Sequence, residues 1–252
     1  IVKDKQIEDG WRGFDRPVSS RKLANDVDNN VVDALVEAVN GRNEDLSHRY
    51  YTLKSGWMGK KQIDWWDRNA PLPGDNDRQY SWTDAQEIVL DAFGGFDADM
   101  AEIAKPFFDK NWIDAAPRAG KSSGAFSHPV VPSAHPYILM NFAGKSRDVM
   151  TLAHEMGHGI HQVLAAEQGY LMSDTPLTLA ETASGFAEML TFRQLVDSES
   201  DANVRRLLLA GKVEDMLNTV VRQIAFHNFE TQLHDRRAKA ELTADEISDL
   251  WM

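Results

Sequence analysis

The feature that most constrains this sequence is a His-Glu-x-x-His pattern at residues 154–158, inside a segment with helical periodicity. Apolar residues recur there at three- and four-residue spacing: Val149, Leu152, Ala153, Met156, Ile160, Val163 and Leu164. On such a helix His154 and His158 share one face, about 6 Å apart along the axis, so both imidazoles can point at one cation. Glu155 then projects beside the metal, where its carboxylate can polarise a bound water. We therefore predict a helix over residues 148–169 that carries a metal site.

The third ligand separates the classes of protein that share this pattern. A metzincin has a third histidine ten residues after the first, and that position is Leu164, so this class is excluded. His161 lies on nearly the same face as His158. One turn cannot easily supply three imidazoles to a tetrahedral ion, so we expect His161 to support a ligand or to lie in the core. Glu181 is the better candidate, because it lies on a second predicted helix that begins just after Pro176.

Two histidines and a glutamate with an open fourth position are typical of a catalytic zinc site. We predict that His154, His158 and Glu181 bind one Zn²⁺ per chain. Polar residues on a solvated helix face are the alternative, and the apolar residues that flank the pattern argue against it. Glu188 lies two turns beyond Glu181 and is expected either to orient a ligand or to form a salt bridge. The apolar stripe predicted for this second helix is Leu179, Ala183, Phe186 and Leu190.

Glycines and prolines interrupt the helical pattern between residues 112 and 142, which indicates short strands. We predict strands over residues 112–115, about 124–127, and 137–142. The last run is expected to be an edge strand to which a peptide adds by main-chain hydrogen bonds, or else simply to support the metal-binding helix. Met140 and Asn141 are therefore candidate substrate-side residues. The backbone N–H groups of Gly124 and Ala125 are further candidates.

Further helices are predicted from periodicity and capping signals. They cover residues 29–40, 44–58, 81–93 (ended by Gly94-Gly95), 98–110 and 202–239, and a capping box at Thr243 opens one more. The apolar residues of the 202–239 helix populate more than one face, so we expect it to be buried on several sides. The tandem pair Trp65-Trp66 indicates either a substrate platform or core packing beside a local ion pair.

Composition narrows the range of partners. The formal charge of −12 argues against nucleic acid and anionic membranes as partners. The absence of cysteine excludes disulfides, cysteine-based zinc sites and thiol catalysis. No apolar run approaches 18 residues and no signal peptide is visible at the first residues, so we expect no membrane span and a cytoplasmic location.

Three runs of this sequence resemble the thimet oligopeptidase and oligoendopeptidase F family, and the bacterial oligoendopeptidase F branch most of all. They are Tyr137–Phe142, Thr151–Gln162 and Ala180–Ser184. The resemblance is strong across residues 117–194 and weaker from 50 to 111. It implies a zincin-like (gluzincin) catalytic core that is mainly α with a small β-sheet. It also implies that His154, His158 and Glu181 are the zinc ligands and that Glu155 is the general base.

The function expected from these residues is hydrolysis of internal peptide bonds, with Glu155 activating a zinc-bound water. The resemblance implies short, unstructured oligopeptides as substrates, since that family encloses its site in a helical channel. Two alternatives remain. One is a different gluzincin, such as an aminopeptidase, and the other is a zinc-binding fragment or helical binding module with little activity by itself.

The chain is expected to be part of one catalytic domain, with a helical lobe over residues 1–111 and the sheet and zinc-binding helices over 112–252. The first residue is not Met and the last predicted helix has only begun, so we expect both ends to be cuts. The family carries downstream His and Tyr residues implicated in oxyanion stabilisation, whereas no tyrosine follows Tyr170 here. We therefore expect zinc binding with weak catalysis. The sequence predicts no oligomeric state.

Overall fold

The computed structural model describes residues 1–74 and 78–252, and most of these residues are helical. The α-helices are α1 (Val2–Arg12), α2 (Ser19–Ala24), α3 (Asn29–Asn40), α4 (Arg49–Trp57), α5 (Trp82–Phe96), α6 (Ala98–Asp109), α7 (Ser146–Ala165), α8 (Leu177–Ser198), α9 (Ala202–Lys239) and α10 (Ala244–Trp251). Short turns of other helix types lie at Glu44–His48, Trp65–Asp67 and Ala166–Gln168. The strands are β1 (Ile113–Asp114), β2 (Phe126–His128) and β3 (Tyr137–Leu139).

The predicted fold class, mainly α with a small β-sheet, is confirmed. Residues 29–40 and 202–239 form helices with the predicted bounds, and the capping box at Thr243 begins α10. The predicted helix end at Gly94 is wrong, because α5 continues to Phe96. A glycine costs about 1 kcal/mol in a helix, which the core packing of this helix offsets. No helix in the described ranges is both long enough and apolar enough to cross a membrane.

The chain separates into two compact units. One contains residues 1–75 and 206–252, and the other contains residues 76–205. These two units do not coincide with the predicted lobes, which meet near residue 111. The division of the domain into those two lobes stays a prediction. All the residues predicted to bind metal lie in the second unit.

A buried lysine joins α4 to α9 in the first unit. Lys54 is fully buried, and its Nζ donates to both carboxylate oxygens of Glu214, at 2.8 and 2.9 Å. It also donates to the carbonyl oxygen of Arg68 at 2.6 Å. All three ammonium protons therefore have acceptors, as a buried charge requires.

Two expectations about this unit are wrong. Among the described residues of α9 only Ile224 is buried, so the helix is not buried on several sides. About half of the surface is exposed in three of its apolar residues: Val213, Met216 and Val220. The reason is that α4 meets a polar face of α9, where Glu214 and Asn218 accept hydrogen bonds. Core packing of Trp65 and Trp66 is also excluded, because 79% and 65% of their surfaces are exposed.

The strands of the second unit form a sheet whose order, in the described part of the chain, is β1-β3-β2. β1 is parallel to β3, with Ile113 opposite Ile138, and β2 is antiparallel to it, with Ser127 opposite Ile138. The expectation that residues 137–142 form an edge strand is therefore wrong. The N–H of Ile138 donates to the carbonyl of Trp112 at 2.9 Å, so β1 occupies one side of β3 and β2 the other. A continuous apolar run is typical of such a central position.

One face of this sheet packs with α5, α6 and α7 around a shared core. The largest fully buried apolar side chains of the second unit are Phe93, Phe107, Ile138, Met140, Leu152, Met156, Val89 and Val149. Gly159 allows close contact at this point, because a Cβ there would lie 2.8 Å from the ring of Phe107 and 3.6 Å from Ile138. The sheet and α6 are thus seated directly on the helix that carries the His-Glu-x-x-His pattern.

A second glycine sets the distance between α7 and α8. A Cβ on Gly157 would lie 2.7 Å from the carbonyl oxygen of Ala183 and 2.8 Å from Ser184 Cα and Ala187 Cβ. Small residues on both helices therefore allow their backbones to approach closely. The apolar stripe predicted for α8 is wrong in part, since 58% of the surface of Leu179 and 44% of that of Phe186 are exposed. The face of α8 that approaches Gly157 carries small residues instead. The buried residues of α8 are Ser184, Ala187, Thr191, Phe192 and Leu195.

Replacing Gly157 with alanine should lower the free energy of unfolding by about 1–3 kcal/mol, because the added methyl group meets backbone atoms that cannot easily move. Gly185→Ala in α8 is the matched control, since a Cβ there meets no atom within 4 Å. The control should gain up to about 1 kcal/mol from helix propensity. Urea denaturation of the metal-free protein measures both variants. An unchanged or increased stability in Gly157→Ala would contradict the close packing.

Candidate metal-binding site

Two histidines of α7 form one side of the site. The rings of His154 and His158 lie 5.0 Å apart between centroids and are nearly perpendicular, at 86°. The helix is fixed at its start by Asp148, whose Oδ2 accepts from the backbone N–H groups of Ala143 and Lys145 at 2.8 and 3.0 Å. The four-residue spacing of His154 and His158 therefore places two neighbouring imidazoles on one helix face, as predicted.

Glu181 of α8 completes a cluster of three donors. Its Oε2 lies 3.2 Å from Nε2 of His154 and 3.6 Å from Nε2 of His158. The donor atoms of the three residues all lie within 4.8 Å of one another. Four ligands placed tetrahedrally at zinc bond lengths of about 2.0–2.2 Å are separated by about 3.4 Å, so the two glutamate distances fit a shared ion.

Ser184 holds the carboxylate of Glu181 in place. Its hydroxyl, which is fully buried, donates to Oε2 of Glu181 at 2.9 Å, the same oxygen that faces both histidines. Sequence reasoning missed this role. The available signal was a hydroxyl residue one turn after the proposed ligand, at a spacing where helix side chains meet.

Glu188 contacts His154 from the opposite side of the ring. Its Oε2 lies 3.2 Å from Nδ1 of His154, where the carboxylate accepts a hydrogen bond from the ring N–H. This contact leaves Nε2 of the same ring directed at Glu181. A carboxylate that fixes the outer nitrogen of a ligand histidine orients the ring and strengthens it as a donor. Of the two roles expected for Glu188, this geometry fits the orientation of a ligand histidine.

Glu155 is nearly buried, with 7% of its surface exposed. Burial raises its pKa above the ordinary value, and the negative charge of Glu181 adds to this effect. The charge of His154 and a hydrogen bond from the backbone N–H of Ser127 act in the opposite direction without reversing the shift. A carboxylate with a raised pKa accepts a proton more readily near neutral pH, as a general base requires.

The two histidines have opposite pKa shifts. Burial lowers the pKa of His154, but its hydrogen bond to Glu188 and the charges of the neighbouring glutamates outweigh burial and raise the pKa overall. Burial also lowers the pKa of His158, and the charges of neighbouring histidines leave it lowered overall. The two pKa shifts therefore differ in direction, because the hydrogen bond to Glu188 acts on His154.

The remaining candidates lie around this cluster. His161 is half-buried on α7. Among the described residues, it does not belong to the cluster of donor atoms formed by His154, His158 and Glu181. Met140 is fully buried in the core, so its side chain cannot reach a substrate. Asn141 donates from Nδ2 to the carbonyls of Ser122 and Gly124, at 2.9 and 3.2 Å, and thereby fixes the loop before β2.

Gly124 has a φ of +89°, which favours glycine, and ends the turn that leads into β2. Ala125 follows it and packs partly against the core. The backbone of these two residues borders an edge strand of the sheet, because β2 lies at one side of β3. Substrate contacts at Gly124 and Ala125 stay a prediction.

Comparison with known proteins adds an independent line of evidence. Residues 95–252 match the profile of Peptidase family M3. The chromosomal oligoendopeptidase F of Lactococcus lactis subsp. cremoris is 30% identical over 242 residues, which cover 95% of this chain and 40% of that protein. Oligopeptidase PepF of Bacillus subtilis (strain 168) is 28% identical over 233 residues, covering 91% of this chain and 34% of that protein.

The fold is also shared with solved structures. The structure of PZ peptidase A with inhibitor 2 superposes with a TM-score of 0.84 at 17% sequence identity, covering 99% of this chain and 44% of that one. This likeness is evidence about the fold alone. The chain spans about 40% of the length of the first relative that it matches.

Zinc affinity should fall as the pH falls below neutrality, because zinc binds neutral imidazole and protons compete for it. The pKa of His154 is raised above its ordinary 6.5, so competition should begin above that pH. We expect a loss of about tenfold per pH unit while one histidine titrates. Titration against a chelator of known affinity measures this dependence. An affinity that stays constant from pH 8 to pH 5 would exclude histidine ligands.

Glu188→Gln removes the carboxylate that raises the pKa of His154. Proton competition should then begin at a lower pH, and zinc affinity at pH 8 should fall about 10–100-fold because the ring loses its orienting partner. Glu167→Gln, at an exposed position in the turn after α7, is the matched control and should bind zinc like the unmodified protein. Identical affinity in both variants would show that Glu188 does not support the ligand.

Proposed function

Because this chain belongs to peptidase family M3, we propose that it carries the catalytic zinc site of a metalloendopeptidase that hydrolyses internal bonds of short, unstructured peptides. The observation that supports this most directly is the convergence of His154, His158 and Glu181, whose donor atoms lie within 4.8 Å of one another. Glu155 follows the first histidine in sequence and lies on the same helix. Two imidazoles and one carboxylate are the ligand set of catalytic zinc sites that keep one position open.

Under this proposal each residue has a separate task. A bound zinc ion supplies Lewis-acid activation of water and of the scissile carbonyl. Glu155 accepts the proton of the attacking water and later delivers it to the leaving amine. Glu188 keeps the ring of His154 in the tautomer whose Nε2 binds metal, and Ser184 keeps the carboxylate of Glu181 turned toward both rings.

The site is open on one side. About 63% of the Glu181 side chain and 31% of that of His154 are exposed, whereas the Glu188 side chain is 15% exposed. Solvent and a substrate carbonyl therefore have access from the side of Glu181, and the supporting carboxylate lies behind the ring. A buried supporting carboxylate beside partly exposed donor side chains would suit a catalytic zinc ion better than a purely structural one.

Two observations support the proposed substrate class. The similar proteins are named oligoendopeptidase F and oligopeptidase PepF, which favours short peptides as substrates. The formal charge of −12 disfavours nucleic acid and anionic membranes. We propose peptide substrates and a cytoplasmic location. We also propose that this chain binds one zinc ion through His154, His158 and Glu181.

The other functions left open by the sequence can be separated by experiment. An aminopeptidase needs carboxylates that hold the free amine of its substrate, so blocking that amine abolishes cleavage. We expect the full-length protein to cleave an N-acetylated peptide at an internal bond, as detected by mass spectrometry. Cleavage only of the unblocked peptide would favour an aminopeptidase. Zinc binding without cleavage by the full-length protein would favour a binding module.

Glu155→Gln tests the general base. This variant should bind zinc with unchanged stoichiometry, because its ligands are intact, and should lose at least about 10²–10⁴-fold in kcat. Elemental analysis and a quenched-fluorescence peptide assay of the full-length protein measure the two properties. Glu167→Gln is the control and should retain full activity. Turnover at the unmodified rate in Glu155→Gln would exclude Glu155 from the reaction.

A further inference from the structure

One line of side chains on α8 is directed at the histidines of α7. Oε2 of Glu181 lies 3.2 Å from Nε2 of His154, and the hydroxyl of Ser184 donates to that same oxygen. Oε2 of Glu188 lies 3.2 Å from Nδ1 of His154. These three residues of α8 follow one another at spacings of three and four positions, which places them along one face of the helix. This face of α8 therefore forms one wall of the candidate metal-binding site.

Leu177 continues the line by one turn toward the start of the helix. It is the first residue of α8, four positions before Glu181 and seven before Ser184. At 100° per residue, its direction on the helix differs from theirs by about 40° and about 20°. Since 59% of its surface is exposed, an apolar side chain lies open to solvent on the same face as the proposed ligand.

The two ends of this line differ in exposure. Ser184 is fully buried and the side chain of Glu188 is largely buried, so the site is closed where α8 continues. The side chain of Glu181 and the whole of Leu177 are more than half exposed, so the site is open toward the start of α8. A substrate that brings a carbonyl group to Glu181 and the histidines therefore approaches from the end where Leu177 lies.

The direction of helix side chains brings Leu177 close to the donor atoms. Cα–Cβ bonds in an α-helix tilt toward its N-terminus, and a long side chain covers the turn that precedes it. The side chain of Glu181 therefore leans over the turn that begins with Leu177, and the Cβ atoms of these two residues are about 6 Å apart. A large substrate side chain next to the reacting carbonyl thus has Leu177 within its reach.

On α7 the corresponding position is already engaged by the sheet. Gln162 follows His158 by one turn. The hydroxyl of Ser127 in β2 donates to Oε1 of Gln162 at 2.8 Å, and Nε2 of Gln162 donates to the carbonyl of Ser127 at 3.2 Å. These two hydrogen bonds tie the amide to the strand, whereas Leu177 presents exposed apolar surface at this end of the site.

We propose that Leu177 is a specificity-determining residue, whose side chain contacts a large apolar side chain of the substrate residue beside the cleaved bond. The proposal rests on the proposed function, because it assumes that the peptide carbonyl reacts beside Glu181 and the two histidines. Contact with leucine favours an apolar substrate side chain, since both surfaces leave water, and disfavours a charged one, which loses hydration without gaining a partner. The substrate class is thus narrowed to peptides with an aromatic or branched aliphatic residue at this position.

Leu177→Ala in the full-length protein tests this contact. The substrates are N-acetylated peptides that differ only in carrying phenylalanine or glycine on one side of the cleaved bond, and both sides are tested in turn. We expect the ratio of kcat/KM for phenylalanine over glycine to fall about tenfold on one side, because the loss of a few apolar contacts changes discrimination by about that factor. An unchanged ratio on both sides would overturn the proposal.

Leu179→Ala is the matched control. Leu179 lies in the same turn and 58% of its surface is exposed, but its direction on the helix is about 160° away from that of Leu177. Both variants lose the same side-chain atoms near the start of α8, so an effect on the helix itself appears in both. We expect Leu179→Ala to keep the ratio within twofold, with one zinc ion per chain in both variants. An equal fall of the ratio in the control would overturn the role of Leu177.

Binding of small zinc ligands provides a readout that needs no cleavage. Acetohydroxamate and 3-phenylpropanohydroxamate share the zinc-binding group, and only the second carries a benzyl substituent beside it. In isothermal titration calorimetry of the zinc-loaded full-length protein, Leu177→Ala should weaken binding of the benzyl compound about tenfold and that of acetohydroxamate less than twofold. Equal changes for the two compounds, or none, would overturn the contact. The selective loss in a protein that binds zinc but cleaves no peptide would contradict the proposed function and support the contact.

Discussion

The arrangement of the site depends on how closely the backbones of two helices approach. α7 supplies two imidazoles and α8 supplies a carboxylate, and neither helix alone offers three donors to one ion. Gly157 makes the approach possible, because atoms of α8 occupy the space where any side chain would begin. The result is a donor set assembled by backbone packing, so that metal binding orders few additional side chains and loses little entropy.

The sequence predicts the chemistry of this site better than its surroundings. Spacing alone indicates two histidines on one helix face, and a glutamate after a helix-starting proline indicates the third donor. Strand order is different, because a continuous apolar run such as residues 137–142 fits both an edge and a central strand until its partners are known. The buried face of α8 is missed because close helix packing selects small residues, such as Ser184 and Ala187, rather than the large ones that dominate a hydrophobic pattern.

The supporting residues are the hardest to predict. Ser184, Gln162 and Ser127 are common polar residues, and each of their contacts depends on how the folded chain places the partner atom. Asn141 was predicted to lie on the substrate side. Its side chain instead donates to two carbonyls of the loop before β2. The contacts of Ser127 and Asn141 join segments distant in the chain, so a periodicity argument confined to one segment cannot detect them.

The two hydrogen bonds between Ser127 of β2 and Gln162 of α7 also bear on solubility. A strand at the border of a sheet presents unpaired N–H and C=O groups that can pair with another chain and start aggregation. In β2 the carbonyl of Ser127 accepts a hydrogen bond from the Gln162 side chain of α7, which leaves one fewer unpaired main-chain group on a strand of three residues. The same contact that ties the strand to the helix thus protects part of this edge from pairing with another chain.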